Sequence, residues 1–127
     1  MAFGDFYTSA QSLGQSSNNT TTFVSKLQLT TPVVDAGNYR VGWNYTWGQA
    51  DTSDNFLGRI NQDSGTIIYN HVQEPKENDV NQQHPAAGFA EVTLTAGTHT
   101  FDIEFATDDA GDDARIAQAR LDFWSVQ

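Results

Sequence analysis

The chain contains no cysteine, which excludes disulfide bonds, cysteine-ligated metal centres and thiol nucleophiles. It also lacks any run of about 18 apolar residues, so no membrane-spanning helix is predicted. The first residues have neither a basic segment nor a continuous apolar stretch, and no secretory signal is expected there. These absences leave the cellular compartment open, because a cysteine-free chain suits a cytosol, a secreted protein or a virus particle.

Basic residues are scarce. Six Lys and Arg residues stand against 16 Asp and Glu residues, and the formal net charge is −10 at pH 7. Proteins that bind nucleic acids or anionic membranes take much of their affinity from clustered Lys and Arg. We therefore expect neither a nucleic acid nor a membrane as a partner. The negative charge instead favours solubility and repulsion between free copies of the chain.

What the sequence has is alternation of apolar and polar residues, which predicts half-buried strands. At 127 residues the chain is expected to form one domain. The strand signals cover residues 23–31, 38–47, 55–62, 66–72, 89–95, 99–106 and 117–126. The predicted loops cover residues 31–37, 48–54, 73–88 and 107–115. No convincing amphipathic helix interrupts them, so seven or eight short strands predict an all-β antiparallel sandwich or barrel.

The segment AGNYRVGWNYTWGQ, residues 36–49, carries large side chains at every second position: Tyr39, Val41, Trp43, Tyr45 and Trp47. Such a ladder is either a platform that stacks on sugar rings or the inner face of a sandwich strand. Period-two spacing places all five on one face, and each sandwich strand has one inward face. The core interpretation is therefore favoured. Trp47, at the predicted strand end, is the expected exception and a candidate contact residue.

Candidate metal ligands are present but poorly patterned. The loop DDAGDD, residues 108–113, could bind Ca²⁺, yet its spacing does not match an EF-hand and no bidentate Glu follows. A solvated acidic loop is the favoured interpretation. The three histidines, His71, His84 and His99, lack the short-range spacing of a metal site. We predict no metal site and no cofactor.

Catalytic motifs are also missing. The sequence has no nucleophile elbow, zinc-protease helix or phosphate-binding loop. Asp102 and Glu104 share one face of a predicted strand, but that face opposes the core and is expected to be open surface rather than a cleft. We therefore expect no enzymatic activity and name no catalytic residue.

Three segments in this order carry a resemblance: FVSKLQLTTPVVDAGNYRVGWNY, HPAAGFAEVTLTAGTHTFDIEFAT and ARIAQARLDFWSVQ. The pattern resembles small jelly-roll structural proteins of tailed-bacteriophage virions, of the capsid decoration (cement) or fibre type. It is also similar in general character to C1q/TNF-like jelly rolls. The resemblance implies an antiparallel jelly-roll sandwich of about eight strands over residues 21–127. Residues 1–20 would be an N-terminal arm or a first strand.

The resemblance further implies a structural role on the outer surface of a capsid, often as a trimer. The implied partner is the major capsid protein or another virion protein. Phe3, Phe6 and Tyr7 are candidates for the capsid contact, and the alternative is that they pack within the first strand.

A carbohydrate-binding module, or a tail- or head-fibre domain, is the alternative function. Exposed, coplanar rings near a loop end would favour the module, so the exposure of Trp43, Trp47 and Trp124 separates the two hypotheses.

Overall fold

The computed structural model describes residues 7–79, 81 and 83–126. These residues form nine strands, all paired antiparallel, and no helix, so none of them belongs to a helix able to cross a membrane. The strands are β1 (Tyr7–Ser12), β2 (Ser16–Asn18), β3 (Val24–Thr30), β4 (Gly37–Gln49), β5 (Phe56–Gln62), β6 (Thr66–Gln73), β7 (His84–Leu94), β8 (Thr100–Thr107) and β9 (Ala114–Ser125).

The strand pairing is nested. β1 and β2 both pair with β9, β3 pairs with β8, β4 with β7, and β5 with β6. Successive pairs alternate between two sheets: sheet A has the order β1-β9-β4-β7, with β2 also beside β9, and sheet B has the order β3-β8-β5-β6. A long hairpin wrapped in this way is the arrangement of a jelly roll. The predicted all-β antiparallel sandwich is confirmed.

The core lies between the sheets and follows the alternation of the sequence. On β8, Phe101, Ile103 and Phe105 point inward and are buried. The ladder on β4 is buried at all five positions, with no side chain more than 5% exposed. The core interpretation of the ladder is therefore confirmed.

The expectation that Trp47 lies outside the core is wrong, since the residue is 1% exposed. β4 continues to Gln49, so Trp47 lies inside the strand rather than at its end. Its ring centroid is 5.1 Å from that of Phe56, 5.3 Å from that of His71 and 4.7 Å from that of His84. A side chain enclosed in this way offers no surface for a partner.

β7 begins at His84, five residues before the predicted strand start at residue 89. The added residues include Ala86 and Gly88, whose small size hides the alternation. The structure explains the small residue: a Cβ at Gly88 would lie 2.8 Å from Cζ2 of Trp43, so the indole occupies that space. Pro85 is tolerated because β7 is an edge strand.

The small, polar N-terminal segment forms strands. Residues 7–12 pair with β9 from Tyr7 opposite Trp124 to Ser12 opposite Ala119, and residues 16–18 continue alongside the same strand. Backbone pairing rather than burial of large side chains therefore holds this edge of sheet A.

Candidate functional site

The outer face of sheet A carries aromatic side chains brought together from three strands. In one cross-strand row, Tyr7 on β1 lies opposite Trp124 on β9, which in turn lies opposite Arg40 on β4. Tyr7 is 57% exposed, and Phe89 on β7 is 63% exposed. Trp124 is partly exposed, between the buried Phe123 and Ser125. We call Tyr7, Phe89 and Trp124, with the neighbouring Arg40, the aromatic face.

Trp124 lies against the sheet because β4 has a glycine beneath it. A Cβ at Gly42 would be 3.3 Å from Cη2 of the indole, a tighter contact than most side chains make. Gly42 is also the cross-strand partner of Phe89. The two rings therefore flank the same backbone position.

Charged side chains border these rings. The guanidinium carbon of Arg40 lies 4.8 Å from the centroid of the Phe89 ring, and its Nη2 donates to Oε1 of Glu91 at 2.8 Å. Cation–π contact and the ion pair together restrict the arginine. An aromatic centre with a polar border is the composition typical of protein and ligand contact surfaces.

Tyr7 is fixed by a small network at the β1–β9 edge. Its hydroxyl donates to Oδ1 of Asp122 at 2.8 Å and accepts from Nη2 of Arg120 at 3.0 Å. Nε of Arg120 also donates to Asp122, at 3.1 Å. The ring is therefore held on the surface rather than free to turn inward.

The predicted contact residues separate into three groups. Tyr7 belongs to the aromatic face, Trp47 is in the core, and Phe3 and Phe6 lie outside the described residues. Phe89 was not predicted, although a signal existed: it alternates out of phase with Ala90, Val92 and Leu94 on the same strand. A large ring on the outward phase is the pattern that could have identified it.

The exposure of the tryptophans decides where a sugar could stack. Trp43 and Trp47 are buried, so the ladder cannot serve as a sugar platform. Trp124 is on the outer face, where Cη2 and Cζ3 of its indole lie over Gly42. Of the three tryptophans, Trp124 alone leaves a surface on which a sugar could stack.

Two of the three histidines, His71 and His99, are hydrogen-bonded within the fold. Nδ1 of His71 lies 2.6 Å from the hydroxyl of Tyr45, inside the core. Nδ1 of His99 lies 2.7 Å from Oδ2 of Asp63, and its Nε2 lies 2.8 Å from the carbonyl of Thr95. The hydrogen bond to Asp63 raises the pKa of His99. These bonds tie strands and loops together, and they do not converge on a common point.

Asp102 and Glu104 do share the outer face of sheet B, but the expectation of open surface is wrong for Asp102, which is 5% exposed. Its oxygens accept from Oγ of Ser25 at 2.8 Å and Nε2 of Gln28 at 3.2 Å. Oε1 of Glu104 accepts from Nε of Arg59 at 2.6 Å. Both carboxylates have structural partners.

A second cluster lies at one end of the sandwich, where the β4–β5 and β8–β9 loops meet. Carboxylate oxygens of Asp51, Asp54 and Asp112 all lie within 4.8 Å of one another. The hydrogen bond shared with Asp112 raises the pKa of Asp54 to about 7. Burial and the negative charge of Asp109 act in the same direction.

No family model matches the chain, and no curated protein matches it. The similarity to known proteins is therefore structural. The dimeric latent PorU of Porphyromonas gingivalis superposes with a TM-score of 0.67 at 8% identity, over 99% of this chain and 13% of PorU. The T=1 particle protein of infectious bursal virus superposes with a TM-score of 0.62 at 12% identity, over 95% of this chain and 32% of the viral one.

The sugar-binding EclA C-terminal domain superposes with a TM-score of 0.54 at 15% identity, over 92% of this chain and 83% of that domain. This chain therefore spans about an eighth of PorU and a third of the viral protein, but most of the EclA domain. The identities are low, so the similarity establishes the fold: a jelly-roll-like sandwich of the kind found in viral capsid, sugar-binding and TNF-like domains.

Proposed function

We propose that this chain is a structural protein of a phage particle, a capsid decoration protein that docks on the coat-protein lattice through its aromatic face. The observation that carries the proposal is the set of rings from Tyr7, Phe89 and Trp124 on one rigid sheet surface. Trp, Tyr and Arg are the residues most enriched where binding energy concentrates in protein interfaces. The capsid-like jelly roll of the viral neighbours supports the same role.

The charge distribution fits an exterior position. A net charge of −10 disfavours contact with packaged DNA and keeps unassembled copies apart. A protein that binds only the assembled lattice stabilises that lattice by mass action. In this proposal three copies associate around a closed threefold axis on the outer surface of the capsid.

The test uses particles purified from a deletion strain that lacks the gene. Purified wild-type protein is added, and bound protein is measured by co-sedimentation and located by electron microscopy. Trp124→Ala is expected to weaken binding by about tenfold or more, as for other aromatic residues central to an interface. Val72→Ser is the matched control, because Val72 is a 64% exposed apolar residue on sheet B.

Binding of wild type and Val72→Ser, with loss in Trp124→Ala, would support the proposal. Equal binding by all three proteins would place the contact elsewhere. Absence of the chain from native particles, with no binding to the deletion particles, would refute the virion role. Light scattering on the free protein tests the trimer.

Sugar binding is the second candidate function, and the partly exposed indole of Trp124, packed over Gly42, favours it. A planar ring beside Arg40 and Glu91 offers a stacking surface with hydrogen-bonding groups at its border. The EclA domain, of similar extent, is a sugar-binding protein. A glycan array followed by calorimetry tests this: saturable binding lost in Trp124→Ala but kept in Val72→Ser would support a carbohydrate ligand.

A further inference from the structure

The β4–β5 and β8–β9 loops form a joined acidic end on the sandwich. The amide of Ala50 donates to the carbonyl of Asp113 at 3.0 Å, and the amide of Asp108 donates to the carbonyl of Asn55 at 3.2 Å. The side chain of Asp108 also accepts from the amide of Asn55 at 2.7 Å. These bonds hold the two loops side by side and fix the positions of the carboxylates between them.

Asp54 is the unusual member of this acidic end. Its residue is 8% exposed, and its Oδ2 has no hydrogen-bond partner among the residues that the structure describes. Yet its carboxylate oxygen lies within 4.8 Å of those of Asp51 and Asp112. A buried carboxylate next to two others is unfavourable unless a proton shared with Asp112 or a bound cation compensates its charge.

A second buried oxygen next to the same loops also lacks a partner. Gln49 is wholly buried, and its Nε2 donates to Oγ1 of Thr107 at 2.8 Å and to the carbonyl of Asn55 at 3.3 Å. Its Oε1 has no partner in the described part of the chain. Gln49 is the last residue of β4, the strand that leads into the acidic end.

The arginine that follows the β8–β9 loop does not pair with any of the three carboxylates. Arg115, at the start of β9, lies 3.6 Å from Oδ2 of Asp113 and donates to Oδ1 of Asn81 at 3.2 Å. The carboxylates of Asp51, Asp54 and Asp112 are thus close together and partly or fully removed from water, and none of them forms a salt bridge with a basic side chain of the described residues. Charge balance points to a cation.

We propose that Asp51, Asp54 and Asp112 bind Ca²⁺, which joins the β4–β5 loop to the β8–β9 loop. The ligands are all oxygen atoms, which suits Ca²⁺ or Mg²⁺ and not a metal that prefers nitrogen or sulfur. Ca²⁺ is favoured because its larger, less regular shell of 6–8 oxygens accepts ligands from two irregular loops together with water. The site is separate from the aromatic face and does not depend on the proposed function.

The experiment compares three full-length proteins after removal of metal with a chelator: wild type, Asp54→Asn and Asp35→Asn. Asp35 is an exposed acid in the β3–β4 loop, at the opposite end of the sandwich, so it is the matched control for loss of one charge. Ca²⁺ binding is measured by calorimetry at pH 8, and thermal melting is followed with and without Ca²⁺.

We expect Ca²⁺ to raise the melting temperature of wild type and Asp35→Asn. Asp54→Asn should bind Ca²⁺ more than about tenfold more weakly, because even outer-shell partners of metal ligands contribute about 10–100-fold. Without metal, Asp54→Asn should melt above wild type, since it removes repulsion among the carboxylates. Asp54→Asn is therefore expected to weaken Ca²⁺ binding and to raise the melting temperature of the metal-free protein. A variant that fails to fold would not show the higher melting temperature.

Three results would overturn the proposal. One is the absence of binding or stabilisation in wild type at millimolar Ca²⁺, the weak end of the range for protein sites. Another is an equal response to Ca²⁺ and Mg²⁺ that persists in Asp54→Asn, which would indicate screening of the net charge. The third is a metal-free Asp54→Asn protein less stable than wild type, which would show that the fold itself satisfies this carboxylate.

Discussion

The two sheets are alike on their inner faces and different on their outer faces. Both bury alternating apolar residues in one core. Outward, sheet A presents the rings of the aromatic face. Sheet B presents a mainly polar face, on which Ser25, Gln28, Arg59, Asp102 and Glu104 form hydrogen bonds, although the apolar Val72 is exposed on its edge strand β6. Polar groups that already bond one another have few free donors or acceptors for a partner. Exposed rings, in contrast, contribute favourable free energy when a partner buries them.

The strongest test of this contrast is Asp102→Ala on the polar face. The substitution removes a buried carboxylate that accepts hydrogen bonds from the hydroxyl of Ser25 and the amide of Gln28. We expect the free energy of unfolding to fall by about 1.5–3 kcal/mol, the range for hydrogen bonds to a charged group. Urea denaturation measures this change. Folded Asp102→Ala should still bind particles, and a selective loss of binding would show that sheet B takes part in docking.

Arg59→Ala should have a smaller effect on the same face. Its Nε is bonded to Glu104, and its guanidinium carbon lies 3.9 Å from the centroid of the Phe23 ring. We expect a loss of about 1 kcal/mol in urea denaturation, because the ion pair is partly exposed and the cation–π contact adds a modest amount. The matched variant on the aromatic face is Arg40→Ala. A larger destabilisation by Arg40→Ala would contradict the view that the polar face is the more tightly bonded one.

Phe89→Ser should change stability least. The ring is 63% exposed, so its removal is expected to alter the free energy of unfolding by no more than about 0.5 kcal/mol. Particle binding, measured by co-sedimentation, should nevertheless fall clearly. Substitutions on the polar face would then reduce stability but not particle binding, and substitutions on the aromatic face would reduce particle binding but not stability. A Phe89→Ser protein that binds as wild type does would remove β7 from the proposed contact.

The core could be predicted from the sequence because burial in a sandwich follows local alternation. Residues such as Phe101, Ile103 and Phe105 alternate strictly with polar ones, and the structure buries them. The start of β7 could not be predicted in this way. Gly88 has no side chain because Trp43 from the neighbouring strand fills that space, a relation that local patterning does not contain.

The aromatic face and the acidic end could not be predicted from the sequence, because each brings together residues from segments that are far apart in the chain. Tyr7 and Trp124 are cross-strand partners although they lie near opposite ends of the chain. Asp54 and Asp112 likewise come from separate loops, so spacing within the DDAGDD loop could not reveal their proximity. Sequence spacing can identify ligands that share one loop or strand. It cannot identify ligands that come from separate segments and meet only in the folded chain.

The nested pairing also has a consequence for the order of folding. Among the nine described strands, only β5 and β6 are paired neighbours in sequence, joined by the turn at Asp63 and Ser64. Each further pair encloses a longer loop. Non-local pairing of this kind slows folding, because loop closure precedes the contacts that compensate it. We expect the chain to pair from this hairpin outward, with β1 and β9 last. The aromatic face contains residues of both β1 and β9. A partly folded chain in which these two strands are not yet paired therefore lacks the complete aromatic face.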